Sequence, residues 1–175
     1  ADLAIMAAKL LTPKKIVGID ISEGMLSFGR KKITEQHLSN TIELQTGDSE
    51  SIQFPDQSFD AVTVSFGVRN FQNLENGIVE IYRVLKVNGS FIVLEFSKPT
   101  LPGIKQLYSL YMNVITPSMG GLFSKNRNAY QYLNDSVQKF PEGKQFQAVL
   151  EKAGFKNTHI KPLSFGICTI YTGEK

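Results

Sequence analysis

At 175 residues the chain is long enough for one domain and too short for two of ordinary size. Hydrophobic residues at 42% and charged residues at 20% predict a normal core and exclude disorder, while a net charge of +3 supplies no basic stripe dense enough for nucleic acid. Cys168 is the only cysteine, which excludes a disulfide within one chain and makes a reducing compartment the default. With no run of eighteen apolar residues, nothing is expected to span a bilayer, and the first residues lack the basic leader and cleavage-like ending of a signal peptide.

The start, Ala1-Asp2-Leu3, already has a helical pattern and reads as a chain cut inside a fold. Residues 2–11 predict a helix with Leu3, Ala7 and Leu10 on one face, ended by Pro13. Ile16 to Ile19 is a short apolar strand stopped by Asp20. Ser22 then offers an N-cap for a helix to about Gln36, with Met25, Leu26, Gly29 and Ile33 as its buried stripe. Strands follow at Thr41 to Gln45 and at Phe59 to Phe66, the second with apolar content (Ala61, Val62, Val64) that fits burial on both faces. Leu74 to Leu85 reads as a helix, and Asn88-Gly89 turns the chain into a strand from Ser90 to Phe96. A helix from Lys144 to Ala153, capped by Gly154, precedes strand-like runs at Thr158 to Pro162 and Phe165 to Thr172. Their link is too short for a parallel crossover, so they should pair antiparallel. The alternation predicts an α/β fold: a Rossmann-like, mostly parallel sheet with an antiparallel C-terminal hairpin.

Two acids stand where a ligand is expected. Asp20 follows one strand and Asp48, in Gly47-Asp48-Ser49, follows the next, both at the carboxyl ends where open α/β sheets bind ligands. Asp20 can accept from both hydroxyls of a ribose, and Asp48 from the exocyclic amine of adenine, with Gly47 letting the backbone approach closely. The bland alternatives are a helix cap for Asp20 and a surface turn for Asp48. Ser65, at a strand tip, would face the cofactor sulfonium or its ribose, or else be an ordinary turn serine. Asp56 and Asp60 read as capping and solvating the entry to that strand.

The segments GIDISEGML (18–26), GDSESIQFPD (47–56), FDAVTVSFGVRNF (59–71), EIYRVLKVNG (80–89) and VLEFSKP (93–99) together resemble the class I methyltransferases. More narrowly, with YQYLNDSVQKFP (130–141) and AGF (153–155), the chain resembles the ubiquinone/menaquinone-biosynthesis C-methyltransferase family from Ala1 to its end. SFGVRNF and VLEFSKP are the more specific parts. The family pattern places Gly-Thr-Gly-Asp or Gly-Thr-Ala-Asp after the first strand, of which Ala1-Asp2 is the closing part, so the resemblance implies that the first strand and glycine loop precede this sequence. It implies S-adenosyl-L-methionine as cofactor, with Asp20, Ile21 and Met25 on its ribose side, Asp48 and Ser49 at adenine, and Ser65 completing the pocket. It implies a single methyltransferase domain with an inserted lid over residues 100–142, and a lipid quinol as substrate.

Methylating a ring carbon requires alignment, exclusion of water, removal of a proton from the adjacent hydroxyl, and a cation for the resulting oxyanion. Arg69 and Asn70 are the candidate catalytic residues: Arg69 to stabilise a quinolate, Asn70 to orient a hydroxyl or water. Arginine stays protonated, so the proton acceptor is a polarised water or a carboxylate such as Asp48. The alternative for Arg69 is a structural ion pair, and Glu95 is assigned the supporting role of holding a backbone or Arg69 in place. His37 and His159 read as surface or edge residues, and without a second His or Cys at coordinating spacing no metal is expected. Residues 104–123 carry apolar residues at helical spacing. They read as a packed helix or as a lid meeting an isoprenoid tail or membrane interface. A cytoplasmic, membrane-peripheral location is the expectation; the oligomeric state stays open, a homodimer among its options.

Three competing functions remain at this point. Tyr82/Lys86 and Tyr171/Lys175 have the spacing of a nicotinamide-dependent reductase, although neither is well placed for one. A non-catalytic assembly subunit could keep the fold. Small-molecule O- or N-methylation predicts a polar pocket with a general base in place of an apolar cavity.

Overall fold

The computed structural model describes residues 1–99, 101–104, 106 and 127–175, the last group with backbone only at 127–130. They form two compact units, Ala1–Pro55 and Asp56–Lys175.

The first unit is α1 (Asp2–Leu11), β1 (Ile16–Asp20), α2 (Glu23–Glu35) and β2 (Ile42–Thr46), with β1 and β2 paired parallel from Ile16↔Ile42 to Asp20↔Thr46. Its core is Ala8, Ile33 and Ile42, with Ala4, Ile5, Ile16, Leu38 and Leu44 packed against them. Leu44 lies so close to Gly18 and Gly29 that a Cβ at either would come within 2.6 Å of its methyl groups. That approach lets α2 settle on the strand pair.

The buried face of α1 differs from expectation. Leu3 and Leu10 point outward, and Ala4, Ile5 and Ala8 turn in. The helix is apolar on nearly every side, so periodicity alone does not select a face. In α2, Leu26, Gly29 and Ile33 are buried as expected, but Met25 is not. It sits about 100° around the helix from Leu26, enough to leave the stripe.

The second unit is β3 (Phe59–Ser65), a 3-10 turn (Val68–Asn70), α3 (Leu74–Val84), β4 (Leu85–Phe96), α4 (Arg127–Lys139), α5 (Lys144–Lys152), β5 (Lys156–Leu163) and β6 (Cys168–Glu174). The sheet order is β3-β4-β6-β5. β3 pairs parallel to β4, while β6 pairs antiparallel with both β4 and β5. The hairpin is therefore present, with its second strand inserted next to β4. Because of that insertion the sheet is mixed rather than mostly parallel.

β3 is an edge strand of this sheet. Ala61, Thr63 and Ser65 are exposed, so burial on both faces does not hold within the unit. β4 starts directly after α3, and Asn88-Gly89 lies inside it, in the extra residues between the pairs Phe59↔Leu85 and Ala61↔Ser90. Beyond that bulge every second residue of β4 is buried: Gly89, Phe91, Val93 and Glu95. Buried in the same unit are Ile78, Ile81 and Val84 of α3, Phe146 and Leu150 of α5, Phe155 and Tyr171, each at most 3% exposed. Phe155 meets Phe91 and Tyr82, and Phe146 meets Tyr171, with ring centroids 4.9 to 5.3 Å apart. Of the apolar stretch 104–123 only Ile104 and Gln106 are described, so the lid expectation lies outside the described residues.

Candidate active site

In the first unit, the register brings the ends of β1 and β2 side by side. Asp20 stands opposite Thr46, and its carbonyl accepts the Gly47 N–H at 3.1 Å. Its side chain is exposed, and Oδ1 accepts the Ser22 N–H at 2.8 Å. Ser22 itself caps α2, accepting the Met25 N–H. Asp48 repeats this arrangement two residues past Thr46: it is exposed, and Oδ1 accepts the Glu50 N–H at 2.8 Å. Ser49 is half-buried beside it.

Each carboxylate is thus oriented through one oxygen by the backbone two residues on. Oδ2 of both is without a hydrogen-bonded partner among the described residues. Two ionisable acceptors at adjacent strand ends fit a ligand rich in hydroxyl and amine donors. Ile21, Met25 and Phe28 follow Asp20 with exposures of 77, 64 and 72%, an apolar strip running along α2 from the same strand end. The bland readings hold in part, since both acids do order turns. They use only half of each carboxylate.

In the second unit, the period-2 burial of β4 drives a carboxylate into the core. Glu95 is 0% exposed, and a buried charge without a partner is strongly unfavourable. Arg69 supplies that partner, its Nη1 2.7 Å from Oε1 and its side chain 10% exposed. The Arg69 and Phe96 N–H groups also donate to Glu95, at 3.3 and 2.9 Å. The guanidinium further donates to the Phe66 carbonyl and to Ser136 Oγ, and lies 5.3 Å from the Phe96 ring centroid. Phe66, between Ser65 and this turn, has a left-handed backbone with φ 55, uncommon for a bulky residue. Such strain persists where surrounding contacts impose it, commonly at functional turns.

Ser65 is exposed at the tip of β3, and Asn70 is exposed at the end of the 3-10 turn. The expected support of Arg69 by Glu95 is present, and so is the ion-pair alternative for Arg69. Tyr132 and Ser136, which meet Asn70 and Arg69, were not among the expected site residues. Their signal in the sequence is a tyrosine and a serine four apart in a segment whose other apolar positions, Leu133 and Val137, mark an inward face.

A family model described as the ubiE/COQ5 methyltransferase family matches residues 1–175. The chain belongs to that family. It is 41% identical over 174 residues to the demethylmenaquinone methyltransferase of Bacteroides fragilis, covering 99% of this chain and 71% of that protein. Against the ubiquinone/menaquinone biosynthesis C-methyltransferase UbiE of Geobacter sulfurreducens it is 43% identical over 175 residues, covering 99% and 68% respectively. The fold is also that of an S-adenosylmethionine-dependent methyltransferase from Thermotoga maritima, with a TM-score of 0.64 at 19% identity over 96% of this chain and 75% of the other.

Membership of the ubiE/COQ5 family disposes of the reductase reading, and the side chains agree. Tyr171 is fully buried with its hydroxyl accepting the Gly143 N–H at 2.7 Å, while Lys175 donates to the Tyr82 carbonyl. Lys86 pairs with Asp60, and Asp56 pairs with Arg83, both at 2.8 Å. His37 and His159 are exposed, and no group of three metal-ligating side chains occurs among the described residues. No helix among them is long and apolar enough to cross a membrane.

Proposed function

We propose that the chain methylates a ring carbon of a polyprenyl quinol, using Asp20 and Asp48 to hold the adenosine of S-adenosyl-L-methionine. The observation that carries the reading is the pair of exposed carboxylates at neighbouring ends of β1 and β2, each pinned through one oxygen and open at the other. Two vicinal ribose hydroxyls suit Asp20, and the exocyclic amine of adenine suits Asp48. Ile21 and Met25 offer apolar contact beside Asp20, and Ser49 a polar one beside Asp48. Ser65 is assigned to the cofactor on the resemblance of its segment. When bound, the sulfonium supplies an electrophilic methyl group for an in-line displacement.

On the substrate side we assign Asn70 and Arg69. A quinol carbon becomes nucleophilic when the neighbouring hydroxyl loses its proton to a water, the oxyanion then needs a hydrogen-bond donor, and the ring hydrogen at the methylated carbon leaves afterwards as a proton to water. Asn70 is exposed and can meet that oxygen directly. Arg69 is neutralised by Glu95 and tied to the Phe66 carbonyl, so its main contribution is to fix the turn that presents Asn70. A polyprenyl quinol partitions into lipid, so the enzyme is assigned to the cytoplasmic side of a membrane surface. Calorimetric titration of S-adenosylhomocysteine into the active enzyme and its Asp20→Ala variant tests the adenosine assignment. Equal affinities would remove it.

A further inference from the structure

Two side chains of α4, one helical turn apart, meet two consecutive residues of the Val68–Asn70 turn. Ser136 Oγ accepts from Arg69 Nε at 3.3 Å and donates to the Leu133 carbonyl at 2.8 Å. Tyr132 Oη donates to Asn70 Oδ1 at 3.1 Å. Spacing of i and i+4 sets both on one face of the helix. Ser136 is 8% exposed and Tyr132 58%, so the contact runs from the core out to the surface.

This arrangement sets the polarity of Asn70. An amide has an acceptor end and a donor end. With Oδ1 accepting from the tyrosine hydroxyl, the Nδ2 hydrogens stay outside that contact and can donate to a ligand. A donor matches an oxyanion or a carbonyl oxygen on the ring and does not match the proton of a neutral hydroxyl. It therefore favours the deprotonated substrate that carbon methylation requires. Ser136 acts one step back, holding the guanidinium whose other bonds, to the Phe66 carbonyl and Glu95, fix the turn.

We propose that Tyr132 and Ser136 are positioning residues for the methyl transfer: Tyr132 orients Asn70 as a hydrogen-bond donor to the substrate oxygen, and Ser136 locks Arg69 beneath it. This rests on the reading of Asn70 as the substrate-side group. The experiment compares Tyr132→Phe, Ser136→Ala, Ser136→Thr, Asn70→Ala and Asn70→Asp in the active enzyme with a short-tailed demethylmenaquinol. Losing one neutral hydrogen bond implies a fall in kcat of about two- to tenfold for Tyr132→Phe. The affinity for S-adenosylhomocysteine should stay at the wild-type value. Ser136→Ala should behave alike, with Ser136→Thr restoring the rate. Asn70→Asp should fall below Asn70→Ala, because a carboxylate repels the oxyanion that the amide attracts. Wild-type kcat in Tyr132→Phe alongside a slow Asn70→Ala would overturn the positioning role alone. Wild-type kcat in Asn70→Ala would overturn the assignment of Asn70 beneath it. Asn70→Asp matching or exceeding Asn70→Ala would overturn the donor polarity. Tyr132 is more than half exposed, so its loss of a hydroxyl leaves folding intact and the comparison readable.

Discussion

The Glu95 carboxylate, fully buried on β4, lies 2.7 Å from the Arg69 guanidinium in the 3-10 turn that follows β3. The pair joins a strand of the core to the loop that presents Asn70, so stability and activity share one interaction. Removing one member of a buried pair leaves the other charged and unpartnered, which typically costs about 3–5 kcal/mol. Glu95→Ala should lower the unfolding free energy by an amount in that range, measured by urea denaturation. Glu95→Gln keeps two acceptor–donor contacts and should cost less. Equal, near-zero losses for both would show that the ion pair is not what holds the turn.

Asp20→Ala should weaken S-adenosylhomocysteine binding while leaving the thermal midpoint close to wild type. A hydrogen bond to a charged group is worth about 1.5–3 kcal/mol, or roughly ten- to a hundredfold in Kd. Asp20 is exposed and, among the described residues, its only side-chain bond is to the Ser22 N–H, so the fold has little to lose there.

Much of this arrangement can be read from the residues alone, and the reasons for the rest are specific. The support of Arg69 by Glu95 is legible as a carboxylate at a strand end close to the turn, but its complete burial is not, because Ile92, Leu94 and Phe96 make the other face of the strand equally apolar. Ser22 as a cap and Gly154 as a helix stop follow from local chemistry. The face of α1 does not, since a helix of leucines, alanines and a methionine gives period little contrast. Met25 adjoins the buried Leu26 in sequence, but one position along a helix puts its side chain on a different side. The insertion of β6 beside β4 depends on long-range pairing that no local signal encodes. Tyr132 and Ser136 lie more than sixty residues from their partners in the turn, and only the fold brings them there.

Gly154 ends α5 with φ 108, and a Cβ there would stand 2.9 Å from the Tyr82 ring. Gly154→Ala therefore meets both backbone strain and a clash with a ring that packs on Phe155. A loss of about 1–3 kcal/mol is expected from such a position, read as a lowered Tm in calorimetry. An unchanged Tm would mean that Tyr82 moves aside freely.

Cys168 pairs in register with Phe96 at the start of β6. Its thiol pKa is raised, first by burial and then by the negative charge of Glu95. The sign is that of an acid whose charged form is disfavoured: the neutral thiol persists to higher pH than a free cysteine, whose pKa is about 8.5. Iodoacetamide alkylation should accordingly be slow at pH 8 and rise only above the usual thiol range. Glu95→Gln should shift that profile toward lower pH. A midpoint at or below that of free cysteine would contradict the described environment.

The most direct measurement is the fate of a labelled methyl group. The active enzyme is incubated with S-adenosyl-L-methionine carrying a carbon-13 methyl and with a short-tailed demethylmenaquinol, and the product is examined by NMR. A new methyl bonded to a ring carbon is expected, with the signal lost when Asp20 and Asp48 are both replaced by alanine. Label on a quinol oxygen, or undiminished transfer by the doubly substituted enzyme, would contradict it.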